Sequence, residues 1–150
     1  MKKFRFSLET VLDYKNQALE AIRAEHAVIL GRVRDQEKVI ENLETEHRQV
    51  DEEFTQRKLE GLTVLDALNY EQYLRSLERE LHAEYHKLAR LRKQEEAKRA
   101  EVVEARKETA TIEKLKEPKL EDYRKAEQKD QEQQIEEFVS TTRAMAAPGT

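Results

Sequence analysis

The chain has 150 residues, 40% of them charged and 37% apolar, with 3 Gly, 2 Pro and no Cys. That composition excludes disulfide scaffolds, cysteine-based zinc sites and thiol catalysis together. The 28 Lys+Arg against 32 Asp+Glu form no basic stripe of the kind that nucleic acid requires. A mean hydropathy of −0.96 would suit a disordered chain, but the apolar residues recur at regular spacing, which points to long helices.

Met1-Lys2-Lys3 has the basic start of a signal peptide, yet Glu9, Asp13 and Lys15 interrupt the uncharged apolar run that a leader needs. Neither a secretory leader nor a membrane span is therefore expected. Any membrane association would go through a partner, and the absence of Cys suits a reducing cytosol.

From Leu8, alternating steps of four and three meet Leu8, Leu12, Lys15, Leu19, Ile22, His26, Ile29, Val33, Gln36, Ile40, Leu43, His47, Val50 and Phe54. Ten of these fourteen are apolar, and a repeat of 3.5 residues held this long implies supercoiling against a partner helix. The spacing predicts a first helix over about 6–58, roughly 75 Å long at about 1.5 Å per residue.

The pattern stops at a turn over 59–63. Gly61 can take the left-handed conformation that ends a helix. Thr63 can cap the next helix, with Asp66 three residues on supporting the cap, and Leu62 with Ala67 can staple it. A turn this short makes the two helices antiparallel neighbours.

The second helix, expected over about 64–140, repeats the seam at Tyr70, Leu74, Leu77, Leu81, Glu84, Leu88, Leu91, Glu95, Lys98, Val102, Ala105, Thr109 and Ile112. Glu95 and Lys98 weaken it. Folding about Gly61 sets Phe54 near Tyr70 and Leu8 near Ile112 or Leu115, so Pro118 falls where the first helix runs out. A kink there disturbs no paired segment. Beyond it, Leu120, Tyr123, Ile135, Phe138 and Val139 sit sparsely among charges without an internal partner, and 141–150 should fray. The expected fold is all-α: one antiparallel coiled-coil hairpin over 1–150, its second helix longer and kinked near Pro118.

Chemistry is sparse. His82 and His86 stand one helical turn apart, the spacing of helical metal-ligand pairs, but read as exposed histidines on a charged helix. No metal, cofactor or catalytic site is expected, since a two-helix hairpin offers no cleft to shift a carboxylate's pKa and no phosphate-binding glycine loop is present. Gly31 is read as tolerated within a long seam. Tyr73 and Tyr85 lie off the seam as exposed aromatics, which suit a protein-binding face.

Three stretches carry a resemblance. They are Phe4-Arg5-Phe6-Ser7-Leu8-Glu9-Thr10-Val11-Leu12, then Gly61-Leu62-Thr63 followed by Asn69-Tyr70-Glu71-Gln72-Tyr73-Leu74-Arg75-Ser76-Leu77, and Leu120-Glu121-Asp122-Tyr123-Arg124-Lys125 leading to Ile135-Glu136-Glu137-Phe138. In order and spacing, over nearly the whole chain, they resemble the bacterial flagellar export family FliJ.

The resemblance implies a two-helix antiparallel coiled coil similar to the stalk of the rotary ATPase gamma subunit, without catalytic residues. It implies insertion in the hexameric flagellar export ATPase, promotion of that ring's assembly and activity, contact with the cytoplasmic part of the membrane export gate, and escort of export chaperones. The protein would be a monomer when isolated, cytoplasmic, and peripheral at the inner face of the plasma membrane. The gate-contact positions that match here are Leu43, Tyr73 and Leu77, while Glu46, Val50, Glu80 and Glu84 depart from the family's pattern. Ring contact is expected through the paired terminal segments, with Phe4, Phe6, Leu120, Tyr123, Ile135 and Phe138 as candidates. The alternatives are the equivalent stalk of a virulence-type secretion system, a general coiled-coil holdase, or a structural dimeric coiled coil.

Overall fold

The computed structural model describes residues 2–146. Two helices hold almost all of them, α1 (Glu9–Glu60) and α2 (Val64–Ala146), packed antiparallel against each other, with no strand among the described residues. The chain divides into two compact units, one formed by Glu20–Val103 and the other by the segments up to Leu19 and from Glu104.

In the Glu20–Val103 unit the helices are joined by three residues whose chemistry forces the reversal. Gly61 takes φ 106°, a left-handed value that a side chain disfavours, while its N–H still donates to Arg57 O at 3.0 Å. Thr63 Oγ1 accepts the Asp66 N–H at 3.2 Å, and the Ala67 N–H reaches Thr63 O at 3.0 Å, which together start α2. Beside the turn, the Phe54 and Tyr70 rings stack at 5.0 Å and 6°, the pairing that the heptad count predicts.

The core of this unit is a single file of seam residues. Val33, Ile40 and Leu88 form its centre, with Leu81 and Leu91 packed against them, and Phe54, Leu74 and Leu77 are buried nearer the turn. The polar seam positions are paired across the interface. Gln36 Nε2 donates to Glu84 O at 3.0 Å and to the Glu84 carboxylate. His26 Nε2 lies 2.9 Å from Glu95 Oε1, and Glu95, only 6% exposed, also accepts both Arg99 Nε and Nη2. Lys98 bridges Glu25 and Glu101, each at 2.8 Å. The side chains that look like defects in the sequence are thus satisfied within the seam.

In the other unit, α1 starts at Glu9, not near residue 6. The Glu9 N–H caps onto Phe6 O at 3.0 Å, because Phe6 leaves the helical path to bury its ring at 6% exposure. Leu12, Leu19 and Thr109 are buried with it. Lys15 pairs with Glu108 at 2.9 Å and Glu9 with Lys116 at 2.8 Å.

The non-helical start of the chain continues along α2 beyond Pro118, which corrects one expectation. Phe4 meets the Tyr123 ring at 5.3 Å, the Tyr123 hydroxyl donates to Lys2 O at 2.7 Å, and Lys119 Nζ lies 5.5 Å from the Phe6 ring centre. Tyr123 therefore has an internal partner. Pro118 sits inside α2, which stays helical on both sides of it at the cost of the hydrogen bond that its missing N–H would have made.

Residues 141–146 are helical as well, continuing α2 to Ala146, where fraying was expected. Helix-forming residues carry the helix on, and Thr142 adds a bond from its Oγ1 to Phe138 O at 2.8 Å. The remaining expected fraying, at 147–150, falls outside the described residues.

Candidate functional site

Two surfaces arise from this architecture, one in each unit. The first lies on the turn-proximal half of the Glu20–Val103 unit, where α1 and α2 present residues within about seven helical turns of Gly61. Tyr73 and Tyr85 are 44% and 48% exposed, and their hydroxyls donate across to Glu46 and Glu44 of α1. The hydrogen bond to each carboxylate first, and then desolvation by burial, hold both phenols above their usual pKa. Each ring is thereby anchored at its hydroxyl while about half of it stays exposed.

The three residues expected to touch a gate part company here. Tyr73 is available at the surface. Leu43 is half-buried, and Leu77, 4% exposed, belongs to the core and can only support what lies above it. The structure joins Val50, Glu53, Asp66, Asn69, Tyr70 and Tyr73 around a groove of about 290 Å³. Two features of this surface escape a seam count. Leu59, Val64, Leu65 and Leu68 are exposed around the turn at 80%, 78%, 69% and 49%, and between Glu41 and Glu84 stand 12 Asp+Glu against 5 Lys+Arg. The second was legible as a composition shift; the first needed the turn's geometry.

The second surface belongs to the unit that contains both ends of the chain. Of its six candidate residues, Phe6 is buried, while Phe4, Leu120 and Tyr123 are half-buried. Ile135 and Phe138 are 62% and 72% exposed, joined by Val139 at 40% and Met145 at 84%. Their spacing places Ile135, Phe138, Val139 and Met145 along one stripe of α2. The candidates therefore separate into a packed set around Phe6 and an open stripe beginning at Ile135.

Among the described residues no group of three or more His, Cys, Asp or Glu is placed to hold a metal ion. Glu95 is held below its ordinary pKa by the His26 hydrogen bond first and by Arg99 next, an arrangement that keeps it ionised inside the seam. His47 is engaged with Glu78 at 3.1 Å. His82 and His86 bring their Nε2 atoms to 3.1 Å. Among the described residues, no helix is long and apolar enough to cross a membrane.

A sequence model of one family, described as the flagellar FliJ protein, matches residues 4–145, taking in both helices and both surfaces. No curated protein and no solved structure matches the chain.

Proposed function

The chain belongs to the FliJ family of flagellar export components, and we propose that it is the non-enzymatic stalk of the export ATPase. In this reading the two-helix hairpin enters the hexameric ring, promotes its assembly and raises its turnover. Its other contacts are with the cytoplasmic part of the membrane export gate and with export chaperones. The protein would be monomeric when isolated, its seam being filled by its own second helix, and would meet the inner face of the plasma membrane only through these partners. The observation that carries the reading is the family match over 4–145, supported by an antiparallel pair of long helices with apolar stripes left open.

The mechanism is one of unequal contact. A hairpin has no six-fold symmetry, so its neighbours in a ring of identical subunits touch different faces of it. A contact that favours one nucleotide state over another shifts that subunit's equilibrium by the difference in binding free energy and by no more. The open stripe at Ile135, Phe138 and Val139 suits ring contact, because burial in a partner would cover apolar area that the chain leaves in water. Tyr73, with the apolar side chains around the turn, suits the gate.

Affinity capture tests the proposal. The untagged full-length partner ATPase should be recovered as a hexamer from cytosol passed over the immobilised chain. Recovery of unfolded client proteins without any ATPase would contradict it and favour the holdase alternative.

A further inference from the structure

His82 and His86 occupy equivalent places on successive turns of α2, both exposed to solvent. Their rings meet edge to face, with centroids 4.6 Å apart and planes at 89°. The two Nε2 atoms approach to 3.1 Å. A hydrogen bond at that distance has one ring offering a lone pair and the other an N–H. A cation with imidazole affinity can replace that hydrogen bond by accepting a lone pair from each ring. With metal–nitrogen bonds of about 2.0–2.1 Å, ligand atoms 3.1 Å apart subtend an angle at the metal of about 100°, within the range of adjacent positions in tetragonal and tetrahedral coordination.

We infer that His82 and His86 form a two-imidazole site on α2 for a divalent first-row transition ion, with Cu²⁺ bound most tightly. Both ligands sit on one rigid helix, so little conformational freedom is lost on binding. Both rings are exposed and free to turn so that the two lone pairs converge on one point. The remaining coordination positions are open to water, which suits the geometry that Cu²⁺ and Ni²⁺ accept with few protein ligands, and the order of affinity for divalent ions places copper first.

The neighbours set the strength. Glu78, one turn before His82, brings a carboxylate to the same face but is engaged by His47 at 3.1 Å. Arg79, Arg90 and Lys93 stand close by in sequence on α2 and oppose a cation. The site is therefore one of micromolar rather than nanomolar strength. Binding joins positions four residues apart and so clamps the turn of α2 that carries Glu84 and Tyr85, the residues bonded to Gln36 and Glu44 of α1.

The test is a calorimetric titration of the untagged full-length protein with CuCl₂ at neutral pH in a non-coordinating buffer, with Ni²⁺ and Zn²⁺ in parallel. One Cu²⁺ per chain should bind with a dissociation constant of order micromolar, tighter than Ni²⁺ or Zn²⁺, and its electron paramagnetic resonance should show two nitrogen ligands. His82→Asn and His86→Asn should each weaken it at least tenfold, whereas His26→Asn, whose imidazole faces Glu95 instead, should leave it unchanged. Both exposed positions can be substituted without touching the core, and circular dichroism confirms that the helices persist. Copper affinity unaltered in the two single variants, or a copper spectrum with fewer than two nitrogens, would overturn the assignment.

Discussion

His26 on α1 and Glu95 on α2 are 69 residues apart in sequence and 2.9 Å apart in space, and they turn a gap in the apolar seam into a cross-link. Glu95 is only 6% exposed, so its charge depends on the donors that face it. His26→Ala leaves the carboxylate to Arg99 alone and should lower the melting temperature by a few degrees, because a buried acceptor losing a donor bears its desolvation uncompensated. Lys38→Ala, which removes an exposed pair with Glu41 at 3.7 Å, should leave it unchanged. Parallel thermal melts of the two variants make the comparison, and equal melting temperatures would contradict the role given to the pair.

Gly61 is the second sensitive point. Its φ of 106° is reached by alanine only at a cost of about 1–2 kcal/mol, although nothing lies within 4 Å of where a Cβ would stand. Gly61→Ala should thus destabilise through backbone strain alone. Gly31→Ala, in a helix interior with equal space around it, should stabilise by about 0.5–1 kcal/mol. Opposite signs in urea denaturation are the expected result.

Much of this was legible in the sequence, and the reason is periodicity. The seam positions read from the heptad steps are buried or half-buried in the structure, and Phe54 does meet Tyr70. Periodicity has no means of registering a segment that leaves the helical path. The stretch from Lys2 to Phe6 lies outside α1, so its packing on Tyr123 was invisible to a count begun at Leu8. A heptad scale also ranks Glu95 and Lys98 as defects, because it scores residues singly and cannot see that His26 and Glu25 stand opposite them.

Tyr73 and Leu77 sit four residues apart and separate surface from scaffold. Leu77→Ala removes a side chain 4% exposed and should cost about 2–5 kcal/mol. Tyr73→Ala should leave helicity and melting temperature close to those of the native chain while weakening gate binding. Circular dichroism and a gate-fragment binding assay on both variants decide it: equal melting losses would place Tyr73 in the core instead.

The pH profile derives from the paired seam charges. Glu95 and Glu84 titrate below the ordinary 4.5, the first through His26 and then Arg99, the second through Gln36 and then Lys87. Their contribution is present above 4.5 and lost as pH falls through their lowered folded values. Lys15 and Lys98 titrate above the ordinary 10.5, through Glu108 and through Glu101 and Glu25. Their contribution is present below 10.5 and lost as pH rises past their raised folded values. Melting temperature should fall below pH 4.5, and again above pH 10.0, where the phenols of Tyr73 and Tyr85, held protonated in the fold, ionise more readily in the unfolded chain.

The open stripe on α2 gives the most direct test of the stalk assignment. Ile135 and Phe138 are exposed at 62% and 72%, so Ile135→Ser with Phe138→Ser should leave the fold intact. ATP turnover by the cognate export ATPase should rise when the intact protein is added and rise less with the double variant. Unchanged turnover in the presence of the intact protein would contradict the account.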